Sequence, residues 1–320
     1  MSEASLHIPV MLDEVICALA PADNGLFIDA TFGNGGYSRA ILSSAACSVA
    51  AIDRDPDAIL RGQELIDASN DRLSLHEGPF SQMAEMMENT SFSKVDGIVF
   101  DLGVCSTQLD QPDRGFSFRQ DGPLDMRMSK DGTDAAHIIN HYGEADIANI
   151  LWRYGEERAS RRIARAIVQA RLTAPIERTA QLTNIIHSVM PRPKPGQADS
   201  ATRSFQALRI YVNAELEEIE AALLAAEKLL KPGAILAVVS FHSLEDRIVK
   251  LFLADRSGAK ARPSRHLPDV GPETLPTFIL TPRKPIPPTE AEMSLNPRSR
   301  SAKLRVAQRT DAPVTMQEVA

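Results

Sequence analysis

The chain of 320 residues has only three cysteines, Cys17, Cys47 and Cys105, far apart in sequence. No pair has the close spacing of metal ligands. Cysteine this sparse argues against a disulfide framework and fits a reducing, cytoplasmic setting. An apolar run of the roughly 18 residues needed to span a membrane is lacking. Residues 1–9 also lack a basic segment followed by an apolar one, so no secretory signal is read there. His137 and His141 are four apart and can share a helix face, but no third ligand lies near them in sequence, and no metal site is expected. Hydrophobic residues at 43% and charged residues at 24% are ordinary for a soluble globular protein.

A uniformly basic surface is absent too, since the net charge is −7. The charge is nevertheless uneven. Residues 1–100 carry 15 acidic and 5 basic side chains, a net of −10. Residues 153–209 carry 11 basic and 4 acidic, a net of +7, and the stretch 283–309 carries 7 and 2, a net of +5. An acidic whole thus holds two basic zones, which suit phosphate or are simply solvated surface.

The chain begins in an α/β rhythm. Leu26–Thr31 reads as a short buried strand, and Phe32–Gly36 as a glycine-rich turn. A helix starts near Ser38, a candidate cap. Strands follow at Cys47–Ile52, ending at Asp53, at Leu73–His76 and at Val95–Leu102, with a helix over 57–68. Such alternation points to a parallel sheet flanked by helices. From about Asp113 to Ser204 the rhythm breaks into loops and then helices at 145–152, 160–172 and 179–189. Pro191–Gly196 is a strong breaker. Phe205, Leu208, Val212, Leu216, Ile219, Leu223, Ala226 and Leu230 then form one apolar stripe, which predicts a single long helix ended by Lys231–Pro232–Gly233. Ala234–Ser240 is a further strand. Residues 257–300 read as irregular, apart from a short strand at Phe278–Leu280. The expected architecture is one Rossmann-like α/β domain, 1–113 plus 205–320, carrying an all-helical insertion at 114–204.

Glycines let a backbone approach a ligand, and the helix after the turn offers its N–H groups. Asp53 stands 20 residues after Gly33, at the end of the second strand, placed for ribose hydroxyls. Nicotinamide dinucleotides and S-adenosylmethionine (SAM) both carry that ribose, so these features do not choose between them. Phe80 follows the third strand, as an adenine platform or a core residue. Asp101 closes the fourth strand, where open parallel sheets bind ligands. It suits catalysis, cofactor binding or a helix cap.

Several ordered segments resemble the bacterial 16S rRNA cytosine-N4 methyltransferase family, MraW or RsmH. They include His7–Val15, Asp29–Gly36, Asp53–Pro56, Asp101–Asp110, Arg114–Phe118, Gly122–Met128, Phe205–Ile210, Ser240–Arg247 and Asn296–Arg305. They run through nearly the whole chain. The resemblance implies SAM as methyl donor and contacts to it from Gly35, Gly36, Tyr37, Asp53, Phe80, Asp101 and Gln108. It implies transfer to N4 of a cytosine in the decoding, P-site region of 16S rRNA in the small ribosomal subunit. A homodimer is compatible with it; a membrane partner is not expected.

Some positions depart from the family pattern. Tyr37 stands where His is common, which matters only if that side chain reaches SAM. Cys105 and Thr107 stand where Ser and Pro are common, and Cys105 reads as a small-residue replacement rather than a nucleophile. Asp101-Leu102-Gly103-Val104 replaces the Asp/Asn-Pro-Pro-aromatic motif of many amino-methyltransferases, with Asp101 in the position that orients the amino group. Phe116 and Phe118, flanked by Arg114 and Arg119, are candidates to stack on an extruded base or to pack a core. His242 is either a proton relay or a structural cap. The competing functions are a nicotinamide-dependent oxidoreductase, an RNA-binding assembly factor, and a DNA or protein methyltransferase.

Overall fold

The structure is a computed structural model that describes residues 9–191, 199–258 and 275–314. These form two compact units, Met1–Gly103 with Leu216–Ala320, and Val104–Glu215. The limits of the second enclose the expected 114–204 span.

In the first unit the chain alternates α1 (Leu12–Leu19), β1 (Leu26–Asp29), α2 (Gly36–Ser44), β2 (Ser48–Asp53), α3 (Pro56–Ala68), β3 (Leu73–Glu77), α4 (Met83–Met87) and β4 (Val95–Asp101). Strands β1, β2 and β4 are apolar on both faces, as buried parallel strands must be, whereas the edge strand β3 carries Ser74 and His76 on one face and is only partly buried. Side chains alternate across the sheet. Ile28, Ile98 and Phe100 enter one core, while Phe27 and Val99 enter the other. Pro56 at the first position of α3 has no N–H to waste, and Asp55 caps that helix by accepting the Asp57 N–H at 3.1 Å.

The second unit is helical, with α5 (Ser106–Asp110), α6 (Ala135–His141), α7 (Glu144–Gly155), α8 (Ser160–Arg171), α9 (Thr179–Val189) and α10 (Thr202–Val212). Its helices match the spans read from periodicity closely. Ile147 and Leu151 of α7, Ile163 and Ile167 of α8, and Leu182 and Ile186 of α9 are buried at helical spacing. Tyr211 meets Tyr142 and Tyr154 edge-on, with ring centroids 6.1 and 5.7 Å apart. Gly115 has φ +70, and a Cβ there would lie 2.2 Å from the Pro123 carbonyl oxygen, so only glycine fits that loop.

The first unit resumes with α11 (Glu215–Leu229), β5 (Leu230–Ser240), α12 (Ser243–Arg256), β6 (Phe278–Leu280), α13 (Glu290–Leu295) and β7 (Lys303–Arg309). Strand order across the sheet is β3-β2-β1-β4-β5-β7-β6. Pairing from β3 to β5 is parallel, whereas β7 is antiparallel to both β5 and β6. The parallel pairing expected from the early rhythm is thus present from β3 to β5, and β7 and β6 make the whole sheet mixed.

Three expectations are corrected. The single long helix is two, α10 and α11, because Ala214 takes a left-handed φ of 49. Asn213 before it is buried and pinned, donating to the Met126 carbonyl at 2.7 Å and accepting the Met128 N–H at 2.8 Å. Ser38 is not a cap but lies inside α2, whose cap position is Gly35. The supposedly irregular C-terminal stretch supplies α13 beside the expected β6. The breaker Pro191–Gly196 and His7 of the opening motif lie mostly outside the described residues. No described helix is long and apolar enough to cross a membrane.

Candidate active site

Beyond β1 the chain turns one way to β2 and β3, and beyond β4 the other way to β5. The gap between β1 and β4 is thus the point where the order of the sheet reverses, the usual ligand crevice of such folds. Its rim is built from the last residues of those two strands and the turn after β1.

Asp29 ends β1 and is fully buried. One of its carboxylate oxygens accepts the Ser38 N–H at 3.1 Å and the Ser38 hydroxyl at 2.7 Å. The other accepts the Thr31 N–H at 3.2 Å. Burial raises its pKa, with those bonds pulling the other way. Asp29 thus clamps the first turn of α2 onto the end of β1. The sequence pattern alone assigns Asp29 no role, although an acidic residue just before a glycine turn is the signal for one.

The turn itself needs its glycines, since Gly33 and Gly35 have φ of +56 and +71. Asp53 holds it from the side. Its carboxylate accepts the Gly33 N–H at 2.7 Å and the Asp55 N–H at 2.8 Å. Burial pushes Asp53 up to about 6. A carboxylate has lone pairs beyond these two bonds, so a ribose hydroxyl remains chemically possible. Gly36 opens α2, and a Cβ there would lie 2.1 Å from Pro9. Its N–H and that of Tyr37 have no acceptor among the described residues, as expected of a helix N-terminus. The Tyr37 side chain points inward, its hydroxyl donating to the Val10 carbonyl. Burial, then the charge of Asp101, holds that phenol well above its usual range. The replacement of His by Tyr therefore serves packing, and only the backbone of residue 37 is open to a ligand.

Asp101 ends β4. Its N–H donates to the Thr31 hydroxyl at 2.7 Å, tying the two strand ends together. Its Oδ1 is buried with no hydrogen-bond partner among the described residues. Burial, then the nearby charges of Asp29 and Glu245, pushes its carboxyl well above the usual carboxylate range. Phe80 sits in a short 3-10 turn, half-buried, edge-on to Phe100 at 5.7 Å. It is anchored in the core on one side only. Asn34 of the glycine turn also has a buried Oδ1 without a partner.

Gly35, Gly36, Tyr37, Asp53, Phe80 and Asp101 therefore all belong to the first unit. Gln108 belongs to the second, where it is buried and its Oε1 accepts the Cys105 N–H at 3.0 Å, closing the cap of α5. Cys105 is part of that cap, in keeping with a small-residue replacement. Phe116 is buried with the Arg114 guanidinium 5.7 Å above its ring. Arg114 itself is buried and donates to the Arg127 and Met128 carbonyls. Of the two alternatives for Phe116, packing in a core is the one the structure describes. Phe118 packs on Phe205 at 4.9 Å and stays half-buried. His242 caps α12, its Nδ1 accepting the Glu245 N–H while Glu245 accepts the Phe241 and His242 N–H groups. The capping alternative is what the structure describes for it.

The Asp101 oxygen, the Asn34 oxygen and the first two N–H groups of α2 have no partner among the described residues, and all belong to the ends of β1 and β4 or the turn and helix that follow β1. Buried carboxylates with an unmet acceptor, together with unmet N–H donors, fit a ligand bearing both a positive charge and hydroxyl or carboxylate groups. SAM is such a ligand.

A model of the MraW methylase family matches residues 4–310. The chain is 56% identical over 308 residues to the ribosomal RNA small subunit methyltransferase H of Paramagnetospirillum magneticum, covering 96% of each chain. It is 57% identical over 309 residues to the enzyme of the same name from Rhodospirillum centenum, covering 97% of this chain and 94% of that one. Among solved structures, a putative rRNA-methylase from Clostridium thermocellum aligns with a TM-score of 0.43 at 14% identity, over 93% of this chain and 94% of that one.

Proposed function

Because the chain belongs to the MraW methylase family, and so is a methyltransferase whose cofactor is SAM, we propose that it methylates N4 of a cytosine in the decoding, P-site region of 16S rRNA. The observation that carries this reading is the relatedness along nearly the full chain to enzymes named for small-subunit rRNA. The acceptor places the activity in the cytoplasm.

SAM, when bound, supplies a methyl group on a cationic sulfonium. The N–H groups of Gly36 and Tyr37 hold its anionic or hydroxyl groups, Asp53 its ribose and Phe80 its adenine. Gln108 is carried into this set by family resemblance alone. Asp29 acts through α2 as a positioning residue.

The exocyclic amino group of cytosine is a poor nucleophile because its lone pair is delocalised into the ring. Asp101 accepts a hydrogen bond from that amino group through its orphaned oxygen, drawing the lone pair out of conjugation and aiming it. Burial, then the charges of Asp29 and Glu245, disfavours the charge on Asp101. A positive charge brought beside it restores the carboxylate. The proton lost from nitrogen has Asp101 as its first acceptor. The basic zones of residues 153–209 and 283–309 contact RNA phosphates.

The test is methyl transfer from labelled SAM to unmethylated small subunits, free 16S rRNA and duplex DNA, with products digested to nucleosides and weighed. N4-methylcytidine from subunit or rRNA is expected. Label on a ring carbon, or on DNA alone, overturns the assignment.

A further inference from the structure

Away from the rim, the first unit has a hollow of about 130 Å³ between α12, β7 and the segment after β6. Its floor includes the buried Leu253 and Val306. Its walls carry Lys250, Arg283, Lys284 and Arg305, and no acidic side chain lines it. This is a concentration of positive charge in a unit whose first hundred residues are strongly acidic.

The state of each cation matters more than the count. Lys250, Arg283 and Lys284 are exposed and have no ion-pair or hydrogen-bond partner among the described residues. Arg305 is held in place, its Nε donating to Asp246 at 2.7 Å. That carboxylate also accepts Lys303 at 2.9 Å. Burial works against the Asp246 charge, but Arg305 and Lys303 outweigh it and hold its carboxyl below the usual range. One carboxylate thus fixes two cations and neutralises one of them. Among a solvated set, the fork of Arg305 is pre-aimed, which lowers the ordering cost of binding an anion.

The register adds direction. Lys303 pairs with Ser240 at the C-terminal end of β5, and Arg305 with Val238 two residues down, on the same face. The cations therefore form a track that descends from the ligand rim to the hollow. A free anion needs a point site; a polyanion needs a track.

Resting on the rRNA methyltransferase reading, we propose that this hollow is a phosphate-binding site for the RNA backbone, seating substrate phosphodiesters on Lys250, Arg283, Lys284 and Arg305. It reads no bases, so it contributes affinity and register rather than sequence choice.

The experiment compares the full chain with the triple variant Lys250→Ala, Arg283→Ala, Lys284→Ala. Fluorescence anisotropy with a labelled small-subunit rRNA fragment is measured over a salt series, alongside SAM affinity and thermal melting. Wild type is measured on the fragment and on unmethylated small subunits; binding to neither overturns the rRNA reading together with the hollow's role, whereas binding that the variant leaves intact overturns the hollow alone. Given binding, the variant is expected to lose about tenfold or more in affinity, and its salt slope to shrink by about one for each lost contact. SAM affinity and melting should stay unchanged. An unaltered RNA affinity and slope overturns the proposal. So does a variant that loses protection by inorganic phosphate but keeps RNA binding, because the hollow then serves a free anion.

Discussion

The carboxylate of Asp53 accepts the backbone N–H of Gly33 at 2.7 Å, so the last residue of β2 holds the turn that follows β1. Two strand ends are thereby locked into one rim. The bond also ties the rim to pH, because Asp53 is pushed up to about 6 by burial. In the unfolded chain the same group ionises near pH 4. Between those values the unfolded state loses its proton while the folded state keeps it, so this residue stabilises at low pH and loses that effect as pH rises to about 6. Relative to Asp53→Asn, wild type should lose stability from about pH 4 to 6 and change no further above that. Urea melts of both proteins across this range check it, and a flat difference contradicts it.

Asp101 carries the chemistry in the proposed function. Asp101→Asn keeps the shape but weakens the acceptor. Methyl transfer should fall by about 10²–10⁴-fold, the usual worth of a positioned acid–base group. Affinity for S-adenosylhomocysteine should change little, since that product lacks the sulfonium charge. Calorimetric binding beside turnover separates the roles: a loss of affinity equal to the loss of rate would make Asp101 a cofactor holder only.

Stability of the first unit rests partly on a buried pair. Arg256 donates from Nε to Glu227 at 3.0 Å, and Glu227 also accepts the Thr277 hydroxyl. Glu227 is 1% exposed. Arg256→Ala leaves that carboxylate buried without its cation, which costs about 3–5 kcal/mol. Urea unfolding should show a loss of this size; a loss under about 1 kcal/mol would mean that water reaches Glu227.

Trp152 is the only tryptophan, and it is 59% exposed on α7. It is followed by Arg153 and precedes the arginines of α8. If the basic zone of the second unit meets RNA, adding rRNA should quench its emission, and raising salt should restore it. Unchanged emission at saturating RNA places the contact elsewhere.

Much of this was legible in the sequence. Leu26–Asp29, Ser48–Asp53 and Val95–Asp101 are short apolar runs bounded by turn residues, and burial on both faces leaves such strands no other composition. The rim residues followed from their places at strand ends. The α10–α11 break was not legible, because the apolar stripe continues through it. The interruption depends on Asn213 bonding to Met126 and Met128, more than eighty residues away in sequence. Ala214 bears the strain, and Ala214→Gly should raise stability by about 1 kcal/mol if the left-handed turn is kept. Strand β7 was hidden by its charge. Lys303 and Arg305 alternate with buried Leu304 and Val306, yet basic residues draw attention to phosphate before pairing. Phe116 shows the converse: an aromatic between arginines reads as a base platform until its burial is known.

The antiparallel seat of β7 against β5 has a consequence for synthesis. Strand β4 ends at Asp101, but the sheet is not complete until Arg309 has been made. At ordinary elongation rates the intervening residues take roughly 10–40 s to translate. Until β5 has been made the nascent first unit has four strands and an open β4 edge, and the contiguous second unit is translated in full before that edge can be covered. The sheet is therefore completed only once β7 has been made. Truncation before residue 303 would leave β5 with an unpaired flank, a template for aggregation rather than a smaller enzyme.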